Sequence, residues 1–163
     1  MSDPFEGIIG FNRKAGNTSE YRELDSAEVI CYKNLVDEEH RELEEAFAAG
    51  NRKEVVDALA DIIVVAVGML DQMGYDPYEV MRIVNESNLS KFCQEGIQAD
   101  AIETVLSYKD DKRYKDVRVH TNGSVWGEVV ATGSQKILKS INYKPPQWGE
   151  LDEQFNESDT EDC

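Results

Sequence analysis

Leu35-Val-Asp-Glu-Glu-His-Arg-Glu-Leu43 and, beyond a Gly50-Asn51 break, Asp57-Ala-Leu-Ala-Asp-Ile-Ile-Val-Val65 decide how this chain folds. The first stretch lies inside a run from Ala27 to Ala49 whose apolar residues Val29, Tyr32, Val36, Leu43 and Phe47 recur at helical spacing. Ser26 stands before it as an N-cap, and Gly50 follows where a helix needs a residue tolerant of left-handed backbone. The second stretch belongs to a helix expected from Arg52 to Met73 and stopped by Gly74. So short a connection leaves room only for a reversal, so the two helices are expected to pair antiparallel.

Their acidic residues are patterned as well. At about 100° per residue, Glu38, Glu39 and Glu42 share an arc of roughly 100° on the first helix. On the second, Glu54, Asp57 and Asp61 fall within about 60°. Carboxylates crowded on one strip repel one another unless water or cations screen them. Two readings stand. A Glu-rich strip can be a plain solvated face, as Glu44 and Glu45 are read. Alternatively, the two strips face each other and form an all-oxygen cage suited to Mg²⁺ or Mn²⁺ and unsuited to zinc. Asp61 favours the second reading, because it abuts the apolar run Ile62–Leu70, where an unpaired charge is costly. Val36 and Leu43 flank the Glu strip and place it at the margin of the core.

Working outward, Pro4 to Ala15 carries Phe5, Ile8, Ile9 and Phe11 and predicts a short helix ending near Gly16, followed by a polar loop over Asn17–Arg22. Asp76-Pro77-Tyr78-Glu79 is a strong helix start: Asp caps, Pro sits in the first turn, and Glu79 can complete a capping box. That helix is expected to run to about Ser90, and a shorter one from Asp100 to Tyr108. Val117–His120, Thr121-Asn-Gly-Ser124 and Val125–Val130 then read as a β-hairpin around an Asn-Gly turn. The expected fold is mainly α, an antiparallel helical bundle with a small C-terminal β-hairpin. Residues 1–149 are expected to form one domain, and residues 150–163 an acidic disordered tail.

Composition narrows the function. The 163 residues carry a formal charge of −16, of which seven negative charges lie in Glu150–Cys163 and leave −9 on residues 1–149. Such a body is not expected to bind nucleic acid directly. The longest apolar run, Ile62–Leu70, is about half of what a bilayer crossing needs and reads as the buried centre of a helix. No secretory pattern opens the chain, and Cys31, Cys93 and Cys163 have no metal-type spacing. They read as reduced thiols, and the expected location is the cytoplasm of a bacterium or of a phage-infected host.

Leu35–Leu43, Asp57–Val65 with Gly68, Gly74-Tyr-Asp76 and Val84-Asn-Glu-Ser-Asn-Leu-Ser-Lys91, in that order, resemble the MazG-like all-α NTP pyrophosphohydrolases, notably the single-domain phosphoribosyl-ATP pyrophosphohydrolase-like members of bacteria and phages. Phe11–Gly16 and Lys136–Pro146 resemble them more loosely. The resemblance implies Mg²⁺-dependent hydrolysis of nucleoside triphosphates, deoxy forms above all, to the monophosphate and pyrophosphate. It also implies a homodimer or homotetramer. The family's EExxE metal motif falls on Glu38, Glu39 and Glu42. Its ExxD motif departs: the aspartate aligns with Asp61, but Ala58 stands at the glutamate position, and the literal ExxD, Glu54–Asp57, lies a turn earlier. Asp57 is expected to take the missing role, so that Glu38, Glu39, Glu42, Asp57 and Asp61 hold metal, with Glu39 also the candidate base. Asn88 and Lys91 are expected to contact substrate, with Lys139, Tyr143 and Lys144 as further phosphate contacts or plain surface residues. His40 and His120 carry no assigned chemistry, and Trp126 and Trp148 read as packing residues. The competing reading is a non-catalytic acidic protein that mimics nucleic acid on a degenerate scaffold of this kind.

Overall fold

The computed structural model describes residues 3–93, 98–120, 129–134, 136–149 and 151. Five helices and two short strands follow in the order α1 (Pro4–Lys14), α2 (Ala27–Ala48), α3 (Arg52–Gln72), α4 (Pro77–Leu89), α5 (Gln98–Ser107), β1 (Arg118–His120) and β2 (Val129–Ala131). The chain forms two compact units, one ending at Val80 and the other beginning at Met81. The fold is mainly helical, as the periodicity implies. The acidic tail lies outside the described residues, apart from Leu151.

In the first unit the caps act as their residue types require. Asp3 Oδ1 accepts from the Phe5 and Glu6 amides at the start of α1. Ser26 caps α2 through the Val29 amide, and Asn51 caps α3 through the Glu54 amide. Gly50 and Gly74 close α2 and α3 with φ of 66° and 86°. At Gly74 a side chain would also strike the Tyr21 amide, 2.6 Å from an ideal Cβ, so that reversal demands glycine twice over.

α2 and α3 pack along one another as an antiparallel hairpin, and α1 lies on α3. Gly68 of α3 is closely approached by its neighbours, since a Cβ built there would lie 2.6 Å from Tyr32 Cε1 and 3.0 Å from Asn12 Nδ2. Around it runs a polar seam. The Tyr32 hydroxyl donates to Asn12 Oδ1 at 3.0 Å and accepts from Asn17 Nδ2 at 3.0 Å, tying α2 to α1 and its following loop. Beside it the Arg13 guanidinium grips Asp71 with two parallel bonds of 2.6 and 2.7 Å. Asp71 is only 4% exposed, and burial of a carboxylate is tolerated because this fork neutralises it. Arg22 reaches over to donate to the Gln72 carbonyl.

The apolar run Ile62–Leu70 departs from expectation. Val67 is buried, but Ile63 and Val64 face outward, and Phe47, Val56 and Leu59 add to an exposed apolar surface on the same hairpin. Helical period alone identifies an apolar stripe and does not say what covers it.

The second unit has its own core of Cys93, Ala101, Val130 and Leu138, packed by Val105, Tyr108, Tyr114, Val117 and Val119. β1 and β2 pair antiparallel with His120 opposite Val129. A two-residue Asn122-Gly123 turn would instead have set His120 against Val125, so the pairing is shifted; residues 121–128, the turn included, lie outside the described residues. The segment after β2 is laced to the helices. Leu138 donates to the Val130 carbonyl, the Ile141 amide to Thr104 Oγ1, and the Ser87 hydroxyl to the Lys144 carbonyl at 2.9 Å. Cys31 is exposed and Cys93 buried beside the Thr104 hydroxyl, and no described helix is long and apolar enough to cross a membrane.

Gly68→Ala is expected to cost about 1–3 kcal/mol, because Tyr32 must be pushed off a seam that also holds Asn12. Thermal and urea unfolding check this. Arg13→Ala should cost about 2–3 kcal/mol by stranding the buried Asp71 carboxylate, and the paired Arg13→Ala/Asp71→Leu variant should recover part of the loss.

Candidate active site

α2 presents Glu38, Glu39 and Glu42, and α3 presents Asp57 and Asp61. Glu38, Glu42, Asp57 and Asp61 are exposed and Glu39 is half-buried. The hairpin register sets Glu39 on α2 level with Asp61 on α3. Tyr32 meets Gly68, and seven residues along each strand of the hairpin, roughly 10 Å or two turns, lead to Glu39 on α2 and Asp61 on α3. The electrostatics agree. Partial burial, then the charges of Asp61, Glu42, Glu38 and Asp57 in that order, hold the Glu39 carboxyl above its ordinary pKa. Charges from both helices therefore act on one carboxylate.

What surrounds these groups separates them from ordinary surface acids. Asp37 is paired with Lys33, and Glu45 with Arg41, each as an i,i+4 ion pair. Among the described residues, Glu38, Glu39, Glu42, Asp57 and Asp61 have no such cationic partner. The chain itself ion-pairs Asp37 and Glu45, and the Arg41 charge, held first by Glu45, also acts on Glu42 and Glu38. An all-carboxylate donor set of this kind fits a hard divalent cation. Among the described residues no three His, Cys, Asp or Glu side chains are already gathered as a closed cage, so ligation would draw the exposed carboxylates inward.

The departure at the second motif has a structural counterpart. Ala58 is 4% exposed and belongs to the core, so its position offers the site no carboxylate. Asp57 precedes it on the exposed side, one turn from Asp61, and its charge reaches Glu39. Glu54, the literal motif glutamate, is not among the strongest influences there.

Asn88 and Lys91 belong to the second unit. Lys91 Nζ donates to Asn88 Oδ1 at 2.7 Å, and both line a cavity of about 370 Å³ with Asn85, Leu89, Phe92 and Ile137. Asn85 reads from sequence as a mere helix-face polar residue. Its i,i+3 spacing to Asn88 was the available signal. Ile137 has no local signal, since it arrives from the segment after β2.

A family of the MazG-like all-α NTP pyrophosphohydrolase superfamily matches the chain over 80 of its 163 residues. Residues 9–88 match the family Phosphoribosyl-ATP pyrophosphohydrolase, whose members are pyrophosphohydrolases acting on nucleotide phosphoanhydrides. No curated protein matches the chain.

Glu39→Gln removes one charge from a crowded strip. Metal-free protein carrying it is expected to melt about 1–2 °C higher than wild type, a gain that scanning calorimetry at low salt would detect. Wild type should instead be stabilised by millimolar Mg²⁺ or Mn²⁺, and Glu39→Gln much less so.

Proposed function

We propose that this protein hydrolyses nucleoside triphosphates, deoxynucleotides above all, to the monophosphate and pyrophosphate with Mg²⁺ or Mn²⁺ bound between α2 and α3. The observation that carries the reading is the group of five carboxylates from two helices, Glu38, Glu39, Glu42, Asp57 and Asp61, coupled through Glu39 and left without cationic partners while their neighbours are ion-paired. In this reading Glu38, Glu42, Asp57 and Asp61 hold the cation and Glu39 shares in its binding. The cation supplies the charge neutralisation that lets a polyphosphate approach an acidic surface. Glu39, as the carboxylate, takes the proton of the attacking water; partial burial and the charges around it raise its affinity for that proton. The water oxygen bonds to the α-phosphorus, the bridging bond to the β-phosphate breaks, and pyrophosphate leaves with that electron pair. Asn88 and Lys91 bind the nucleotide, Lys91 supplying positive charge and Asn88 holding its ammonium group.

An acidic mimic of nucleic acid requires charge but no registration between helices, and it gives no reason for Lys33 and Arg41 to neutralise only part of the face. The two readings separate on a nucleotide panel assayed for pyrophosphate release with Mg²⁺ or Mn²⁺. Asp61→Ala is expected to abolish turnover with the fold intact, and Asp57→Ala to reduce it at least a hundredfold. A normal rate for Asp57→Ala removes that residue from the site. Silence of wild type on every nucleotide, with tight binding to a basic protein, supports the mimic.

The exposed apolar side of the hairpin supports a homodimer or homotetramer. Phe47 is 75% exposed and, with Leu43, Val55 and Leu59, lines a groove of about 520 Å³. Phe47→Glu is expected to yield monomers in light scattering where wild type is oligomeric.

A further inference from the structure

The second unit inverts the electrostatics of the chain. Residues 108–149 contain eight Lys or Arg against four Asp or Glu, whereas residues 150–163 contain seven Asp or Glu and neither Lys nor Arg. A basic stretch and an acidic one are thus consecutive. On the folded unit the cations gather along a track. Arg113, Tyr114, Lys115 and Lys136 line a cleft of about 500 Å³. The same Arg113, Tyr114 and Lys136 line a second cleft, of about 360 Å³, that runs on to Lys139. Two clefts with a common wall make one groove, longer than a compact ligand fills. One carboxylate stands in it, Asp116, and Arg118 faces that group at 3.7 Å.

Tyrosines hold the cations in place. The Lys136 ammonium lies 5.1 Å and the Arg113 guanidinium 5.4 Å from the Tyr114 ring centre. Tyr108 braces Tyr114 edge-on at 5.6 Å and donates its hydroxyl to the Lys139 carbonyl. Lys139 in turn sits 4.3 Å from the Tyr143 ring. Arg113 is engaged by Asp111, but among the described residues Lys115, Lys136 and Lys139 form no ion pair. Like charges lined up along one groove repel one another until an anion joins them.

The acidic segment leaves from the same unit. The Ser87 and Ser90 hydroxyls fix the Lys144 carbonyl at 2.9 and 3.2 Å, and the Leu151 amide donates to the Trp148 carbonyl. The Lys139 end of the groove lies against Tyr143, only seven residues before Glu150. Fourteen residues span about 20 Å on average and about 45 Å when extended. Tethered at that range, the segment has an effective concentration on the order of millimolar, which an outside anion must exceed.

We propose that residues 150–163 lie back along this groove as an internal polyanion, their carboxylates pairing with Lys115, Lys136 and Lys139. Acids at positions 150, 152, 153, 157, 159, 161 and 162 are spread as the cations are spread, over two clefts. A single-stranded nucleic acid asks instead for free aromatic faces, and here the Tyr114 and Tyr143 rings serve the cations. Lys91 lies on the wall of the second cleft, so the docked segment competes with an anion bound there. As a brake on nucleotide entry this competition rests on the function proposed above; the docking does not.

Cys163 offers a native handle for the test. In a Cys31→Ser background, with Cys93 buried, a nitroxide on Cys163 is expected to broaden the amide NMR signals of Tyr114, Lys136 and Lys139 at low salt. The broadening should vanish at about 1 M NaCl. Glu157→Gln, Asp159→Asn, Glu161→Gln and Asp162→Asn together should abolish it without touching the folded body, and Lys136→Gln/Lys139→Gln should weaken it. The four tail substitutions should also lower KM for a nucleoside triphosphate about threefold at low salt, with kcat unchanged. Broadening that is absent, confined to α1–α3, indifferent to the tail substitutions, or lost on dilution as a contact with a second copy would be, overturns the docking. A KM that stays fixed while the broadening responds overturns the competition alone. Absence of turnover on every nucleotide removes the enzymatic reading and the competition with it, and the nitroxide decides the docking by itself.

Discussion

Tyr32 lies over Gly68 so closely that no Cβ fits between them, and this contact governs how α2 and α3 meet. Two long helices can slide in register or roll about their axes at small cost when only apolar surfaces touch. A phenol ring seated on a glycine, with its hydroxyl bound to Asn12 and Asn17, removes that freedom. With the hairpin pinned at one end, the residues two turns along each helix have no choice of neighbour. Glu39 and Asp61 share one electrostatic environment because Tyr32 and Gly68 share one contact.

That constraint explains why like charges coexist here. Repulsion among carboxylates is too weak, a few tenths of a kcal/mol per exposed pair, to unseat a helix interface built on buried surface and the close Tyr32–Gly68 contact. The hairpin can therefore impose an unfavourable arrangement that an unconstrained surface would relax. Lys33 and Arg41 ion-pair the neighbouring Asp37 and Glu45 and so relieve part of that repulsion.

Local signals made the helices legible. Ser26, Asn51, Gly50 and Gly74 mark ends through hydrogen bonds or backbone angles that reach no further than three or four residues. Helical period also marks the acidic strips, and the short connection gives the antiparallel pairing of α2 with α3. Helical period does not place Ile63 and Val64 at the surface, because an apolar stripe looks alike whether or not anything covers it. The strand pairing departed from the Asn-Gly signal because register depends on what β1 and β2 pack against, here α5 and the segment through Leu138. The basic cleft was invisible for a stronger reason. Lys91, Arg113 and the Lys136–Lys139 segment come from three separate places in the chain, and a cation over a ring has no sequence spacing of its own.

The fork between Arg13 and Asp71 joins positions 58 residues apart, whereas the α2–α3 hairpin closes through a turn of three residues. Chain closure over the longer span costs more entropy and returns its enthalpy only once α3 is already in place. The hairpin is accordingly the early element of assembly and α1 the late one, a clasp fastened onto a finished pair. Loss of the first fifteen or so residues would bare Asp71 and the Gly68 seam together, so the integrity of the amino-terminal helix reports on the one surface that keeps the two acidic edges aligned.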